Sequence, residues 1–189
     1  MKRCSWPESG GELMIDYHDK EWGTPVHDDQ KHFEFLVLET FQAGLSWLTV
    51  LRKRQNFAKA FGGFNPVIVE AYDAAKIEEL AADAGIIRNR MKISAAVNNA
   101  RRLLEVQQEF GSFDRYLWSF VDGQPVIGNW VSMDQIPAKT ELSDQVSADL
   151  KRRGFKFVGS TIIYAHLQAV GIVNDHVVDC FRFKELVQV

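Results

Sequence analysis

Apolar residues recur three and four positions apart along most of the chain, the period of a helix with one buried face. The first strong run spans about Asp28 to Ala43, with Phe33, Leu36, Val37 and Phe41 on one stripe and Gly44 following as a stop. Ser46 is placed to cap a second helix, in which Trp47, Val50 and Leu51 share a face and Arg52, Lys53 and Arg54 lie towards the end. Asn65 followed by Pro66 marks another start. Asp73 opens a helix that turns Ile77, Leu80, Ala81 and Ala84 inward and stops at Gly85. A long helix follows from about Arg90 to Phe110, ended by Gly111; Ser112 begins Phe113 to Val121. Ser143 caps a helix reaching Arg153, and Ser160 to Val170 is the last clear one. No stretch alternates as a half-buried strand does, and Lys156 to Val158 is too short to count. The Gly- and Pro-containing segment from Asp122 to Pro137 reads as irregular. The pattern predicts one all-α unit over residues 1–189.

The composition fits a globular chain with a large core: 46% hydrophobic, 25% charged. No run approaches the ~18 apolar residues of a membrane span, and the N-terminus lacks the apolar core of a signal peptide. The expectation is a cytoplasmic protein. A net charge of -3 argues against broad, non-specific nucleic-acid binding. That average hides segregation, because Arg88, Arg90, Lys92, Arg101 and Arg102 form a stretch without an acid.

Within that basic stretch, a helix, a short break at Gly85 and Ile86, and a second helix give a helix–hairpin–helix outline over about 77–97. Backbone N–H groups at such a hairpin can cradle a phosphate, with Arg88, Arg90 and Lys92 adding Coulomb attraction. An ordinary tight turn with solvated basic flanks fits the spacing equally well.

Two histidines accompany the two cysteines. Cys4 is followed by His18, and His176 precedes Cys180 by four residues, side by side if that segment is helical. Two Cys and two His make a closed tetrahedral zinc set with no position for substrate, so such a zinc would be structural. The Cys4–His18 spacing is not that of a finger, and on spacing alone free buried cysteines and satisfied histidines are the simpler reading. His27, His32 and His166 form no second cluster and read as surface or core residues.

Trp6, Tyr17 and Trp22 occupy a segment without a clean helical stripe, which leaves a recognition role open; Trp118 and Phe120 read as core. Glu39 stands among Leu36, Val37, Leu38 and Phe41 near a helix C-terminus, where the dipole disfavours negative charge. A carboxylate held so points to a working group, although an exposed acid on a helix surface is the plain alternative. Aromatic faces beside that acid would suit a flat cationic ring.

The segments RCSW, YHDKEWG, LETFQAGLSWLTVLRKR, DAGIIRNRMKI, LWSFV, KRRGFKFVGSTI and GIVNDHVVDC together resemble, in order and over essentially the full length, the 3-methyladenine DNA glycosylase I family. The resemblance implies a helix–hairpin–helix DNA glycosylase fold whose N- and C-terminal segments are tied by one Zn2+ on Cys4, His18, His176 and Cys180. It implies a base pocket built from Glu39 as the catalytic group, with Trp6, Tyr17, Trp22 and Trp47. Gly44 and Leu45 would fill the gap left by a flipped nucleotide, while the hairpin around Gly85 and Ile86 grips the DNA backbone. The implied partner is double-stranded DNA carrying alkylated bases and the product is free 3-methyladenine, released without lyase chemistry by a monomer that needs no membrane. Met14 and Phe41 depart from the family's pocket segments, where a tyrosine and a glutamine are usual. Two other classes fit parts of the pattern: a damage-sensing module that dispenses with Glu39, and a zinc hydrolase, which would need an open metal position.

Overall fold

The computed structural model describes residues 1–187. Among them are ten α-helices: α1 Glu12–Lys20, α2 Asp29–Gln42, α3 Trp47–Ala60, α4 Pro66–Glu70, α5 Ala74–Ala82, α6 Arg90–Phe110, α7 Phe113–Trp118, α8 Glu141–Arg152, α9 Ser160–Ala169 and α10 Phe181–Val187. Side-chain oxygens of Asp28, Ser46, Asp73, Asn89 and Ser112 accept from the third following N–H to cap α2, α3, α5, α6 and α7. Each cap contributes about 1 kcal/mol and fixes where its helix begins.

Four local expectations change. Helix α1 was not legible, because its buried face joins Met14 and Tyr17 to a polar residue, His18. The cap of α8 is Thr140; Ser143 is its reciprocal partner three residues on. Helix α5 ends at Ala82, and Gly85 lies in the following loop with its N–H on Asp83 Oδ1 at 2.7 Å. The fold is not purely α: β1 Val126–Ile127 and β2 Val173–Asn174 pair in parallel, Val126 opposite Val173. Two-residue strands carry no alternation to read.

The core is aromatic. Phe33, Phe35, Phe41, Phe57, Phe61, Phe113 and Tyr116 are fully buried between α2, α3, α6 and α7. Helix α6 lies against α2, α4, α5 and α7, and α9 packs on α2 and α8. His32 and His166 are buried within this frame, and His27 is exposed against Asp114. Phe181 N donates to Lys2 O at 2.9 Å, so the two termini meet on one side of the core. No helix among the described residues is long and apolar enough to cross a membrane.

Candidate functional site

Where the termini meet, Cys4, His18, His176 and Cys180 are all fully buried, with their ligand atoms within 4.8 Å of one another. Cys4 Sγ lies 3.6 Å from His176 Nδ1; Cys180 Sγ lies 3.5 Å from the same nitrogen and 3.6 Å from His18 Nε2. The outer ring nitrogens settle which lone pair points inward. His18 Nδ1 is 2.8 Å from Asp19 Oδ1, and His176 Nε2 is 2.9 Å from the Trp22 carbonyl. A carbonyl can only accept, so His176 presents a bare Nδ1 to the cluster, and the carboxylate does the same for His18 Nε2. Arg3 holds Asp19 with both Nε and Nη2, and this hydrogen bonding keeps the Asp19 carboxyl below its usual range. The hydrogen bond between the two thiols pushes Cys180 down and Cys4 up. These residues fit a tetrahedral cation. The segment from His176 to Cys180 is a turn ahead of α10, closed by Cys180 N on Val177 O at 2.8 Å, and not the helix the spacing suggested.

Beside the cluster, a cavity of about 370 Å³ gathers Trp6, Tyr17, Trp22, Glu39 and Trp47. The rings interlock: Trp6 stands edge-on to Trp22 at 5.2 Å, and Tyr17 is tilted against Trp47 at 5.2 Å. Trp22 also stands edge-on to His176 at 4.6 Å, so the aromatic wall and the cysteine–histidine cluster share side chains. The plain alternative for Glu39, a solvated surface acid, does not hold. Its side chain lies on the cavity wall in a residue only 5% exposed, and burial pushes its carboxyl up to about 8. At neutral pH that group is mostly protonated, in a cavity walled mostly by rings and apolar atoms.

The rest of the lining lay outside the sequence reading. Met133, Ile136 and Pro137 come from the irregular segment, whose lack of pattern hid them, and Ala138 follows it directly. Thr161, Tyr164 and Gln168 come from α9, and their three- and four-residue spacing is a polar stripe that could have been noticed. Met14 does line the cavity; Phe41 does not, being fully buried 4.7 Å from Phe57, so it leaves cavity polarity untouched.

At one end of α2, Gln42 lines the cavity, Gly44 turns the chain at φ +82°, and Leu45 is 43% exposed. That φ is open to glycine and strained for other residues. The loop between α5 and α6 is anchored by buried Ile86 and presents Arg88 and Arg90 outward, Arg90 paired with Glu78. Lys92 is corrected: it is not on the surface. Its buried ammonium donates to the Phe41 and Ala43 carbonyls at 3.0 and 2.6 Å. Lys53 makes the reverse link, donating to the Ala84 and Gly85 carbonyls at 2.8 and 3.2 Å. Two lysines thus bind the α2–α3 turn and the α5–α6 loop to each other. Arg54 is spent on Glu21 and Glu34, leaving Arg52 as the exposed member of that triplet.

A family profile described as methyladenine glycosylase matches residues 6–183. The chain belongs to the methyladenine glycosylase family. It is 50% identical to DNA-3-methyladenine glycosylase 1 of Escherichia coli K12, over 95% of this chain and 96% of that one. A crystal structure of a 3-methyladenine DNA glycosylase I superposes with a TM-score of 0.92 at 49% identity, covering 95% of this chain and 98% of its own. A tyrosine-to-phenylalanine variant of such a glycosylase, in complex with 3-methyladenine, gives 0.92 at 35% identity over 96% and 97%. Among methyladenine glycosylases, this member carries Met14 on its cavity wall.

Proposed function

We propose that this chain excises 3-methyladenine from double-stranded DNA by hydrolysing its N-glycosidic bond, as one glycosylase unit over residues 1–189. The observation that carries the mechanism is a buried, mostly neutral carboxyl, Glu39, on the wall of an aromatic cavity wide enough for one base. A base cannot enter such a cavity from within the stack, so it is flipped out at a cost of roughly a few kcal/mol. Trp6, Tyr17, Trp22 and Trp47 form the base pocket and stack on the flipped ring, whose positive charge their faces favour.

The electrostatics select the lesion. A neutral base leaves Glu39 protonated, whereas a cationic N3-alkylated adenine draws its proton off and pairs with the carboxylate. Glu39 then accepts from the donor edge of the lesion. Scission of the bond between the base and the sugar C1′ sends the electron pair to the base, which leaves as neutral 3-methyladenine. Water adds to C1′ and gives its proton to solvent. No lysine lines the cavity among the described residues, and both nearby ammonium groups are tied to carbonyls, which supports hydrolysis without lyase chemistry.

The α5–loop–α6 segment at about 77–97 acts as a helix–hairpin–helix grip on the DNA backbone. It uses the N–H groups that helix geometry leaves free at the start of α6, helped by Arg88 and Arg90. Gly85 and Ile86 set its turn, and Gly44 and Leu45 occupy the vacated stack. Cys4, His18, His176 and Cys180 hold one structural Zn2+, which would supply a cross-link between the termini and no chemistry, since four protein ligands fill a tetrahedral site. A cytoplasmic monomer satisfies all of these roles.

The test is release of 3-methyladenine from methylated DNA by wild type and by Glu39→Gln. Release by the wild type and a loss of about a hundredfold or more in the variant are expected, since a neutral amide cannot match the charge. Equal release by the two proteins would remove Glu39 from the mechanism.

A further inference from the structure

Two loops that face DNA in the proposed function are tied together by crossed side chains. The α2–α3 turn, residues 43–46, carries Leu45 as its exposed apolar tip, and the α5–α6 loop spans residues 83–89. Lys92, in the first turn of α6, donates to the Phe41 and Ala43 carbonyls at the end of α2. Lys53, on α3, donates to the Ala84 and Gly85 carbonyls of the α5–α6 loop, and Asn56 Nδ2 adds a bond to Gly85 O at 3.2 Å. Each loop is thus held from the helix that follows the other. Among the described residues no backbone hydrogen bond joins the two loops, so their polar link consists of these side chains.

The bonds are of the strong kind. Carbonyls at the end of a helix lack donors within it, and an ammonium there makes a charge-assisted bond that the helix dipole favours. Lys92 is buried and Lys53 half-buried. The turn they steady has little packing of its own, since nothing lies within 4 Å of where a Cβ on Gly44 would stand. The place of Leu45 therefore depends on how its flanks are tied: Ala43 by Lys92, and Ser46 by its cap on Thr49 N at 3.2 Å. Neither lysine lines the cavity.

We infer that Lys53 and Lys92 are positioning residues for base flipping: they brace Leu45 against the α5–α6 loop, so that the grip on the backbone sets how deeply Leu45 enters the duplex. The inference rests on the glycosylase reading above, in which that loop holds DNA and Leu45 occupies the vacated stack. Both ammonium groups are spent on carbonyls, so the brace acts between DNA binding and bond scission. Misplacing a group by about 1 Å can cost a hundredfold in rate, which gives such a brace something to protect.

The test compares full-length wild type with Lys53→Met, or with Lys53→Gln if the methionine variant does not fold. Single-turnover release of 3-methyladenine from a duplex is followed together with the fluorescence of a 2-aminopurine beside the lesion, which brightens as the stack opens. Free 3-methyladenine affinity, by calorimetry, reads the pocket. The slope of log affinity against log salt on undamaged duplex reads phosphate contacts. The variant should lose about tenfold in release and in the rate of brightening, the size of one charge-assisted hydrogen bond, with base affinity and salt slope unchanged. Undiminished release, or slower release with wild-type brightening, overturns the inference. So does weakened base affinity, which would make Lys53 a support of the pocket, or a slope reduced by about one, which would make it a phosphate contact. Wild type that binds the duplex and releases no 3-methyladenine would overturn the glycosylase reading itself, and this inference with it.

Discussion

Replacing Glu39 by glutamine should make the folded protein more stable while disabling it, by an amount that depends on pH in a calculable way. Burial raises the Glu39 carboxyl from 4.5 to about 8. Between those values the folded chain holds a proton that the unfolded chain has released. Stability from this group is therefore lost as pH rises through the window, and is unaffected below about 4.5. At 1.36 kcal/mol per unit, the penalty reaches about 3 kcal/mol at pH 7 and approaches about 5 kcal/mol above pH 8. For a chain of this size, 1 kcal/mol moves Tm by about 2–4 °C, so the variant should melt on the order of 10 °C above wild type at pH 7. Calorimetric melts of both proteins at pH 4.5, 6, 7 and 8 read the effect directly. The slope is the diagnostic quantity, because a difference in hydrogen bonding between acid and amide adds the same offset at every pH. A Tm gap that stays constant from pH 4.5 to 8 would refute the burial argument. Such a gap would mean that Glu39 is solvated in solution.

The remaining predictions concern other parts of the same machinery. Binding of a cationic alkylated nucleotide at pH 7 should release close to one proton in wild type and none in Glu39→Gln, measured by calorimetry in buffers of different ionisation enthalpy. Cys180→Ser should abolish stoichiometric zinc, by metal analysis of the purified protein, and lower Tm by on the order of 10 °C or more; undiminished Tm would exclude a structural metal. Lys92→Met leaves two helix-end carbonyls without their donor and should cost about 1.5–3 kcal/mol in urea melts, with slower release from duplex DNA than its stability at assay temperature accounts for. Arg88→Ala should weaken binding to duplexes of any sequence and reduce the slope of log affinity against log salt by about one; an unchanged slope would take Arg88 off the phosphate path.

The order and capping of the long helices were determined locally. Asp28, Ser46, Asp73, Asn89 and Ser112 each act within three residues, and the stripes through α2, α3 and α6 repeat at the helical period whatever they pack against. The four cluster residues and the set Glu39, Trp6, Tyr17, Trp22 and Trp47 could be named from motif resemblance, because residue types persist along a family's chain. That they share one place is a tertiary fact: Cys4 meets Cys180 only because the termini pair across Phe181 and Lys2. The same holds where the sequence misled. Lys92 reads as one more surface cation in a basic run, yet folding turns its ammonium onto carbonyls fifty positions away in the chain. Phe41 stands where the resemblance puts a glutamine in a pocket segment, yet the apolar stripe of α2 to which its spacing assigns it turns it away from the cavity, onto Phe57. Asp175 carries no local signal, since it accepts from Tyr164 and Gln168 on α9 and from Trp130, 45 positions away in the chain. Periodicity and caps are properties of short segments, whereas burial, pKa and the polarity of a cavity wall arise only when distant segments exclude water from one another.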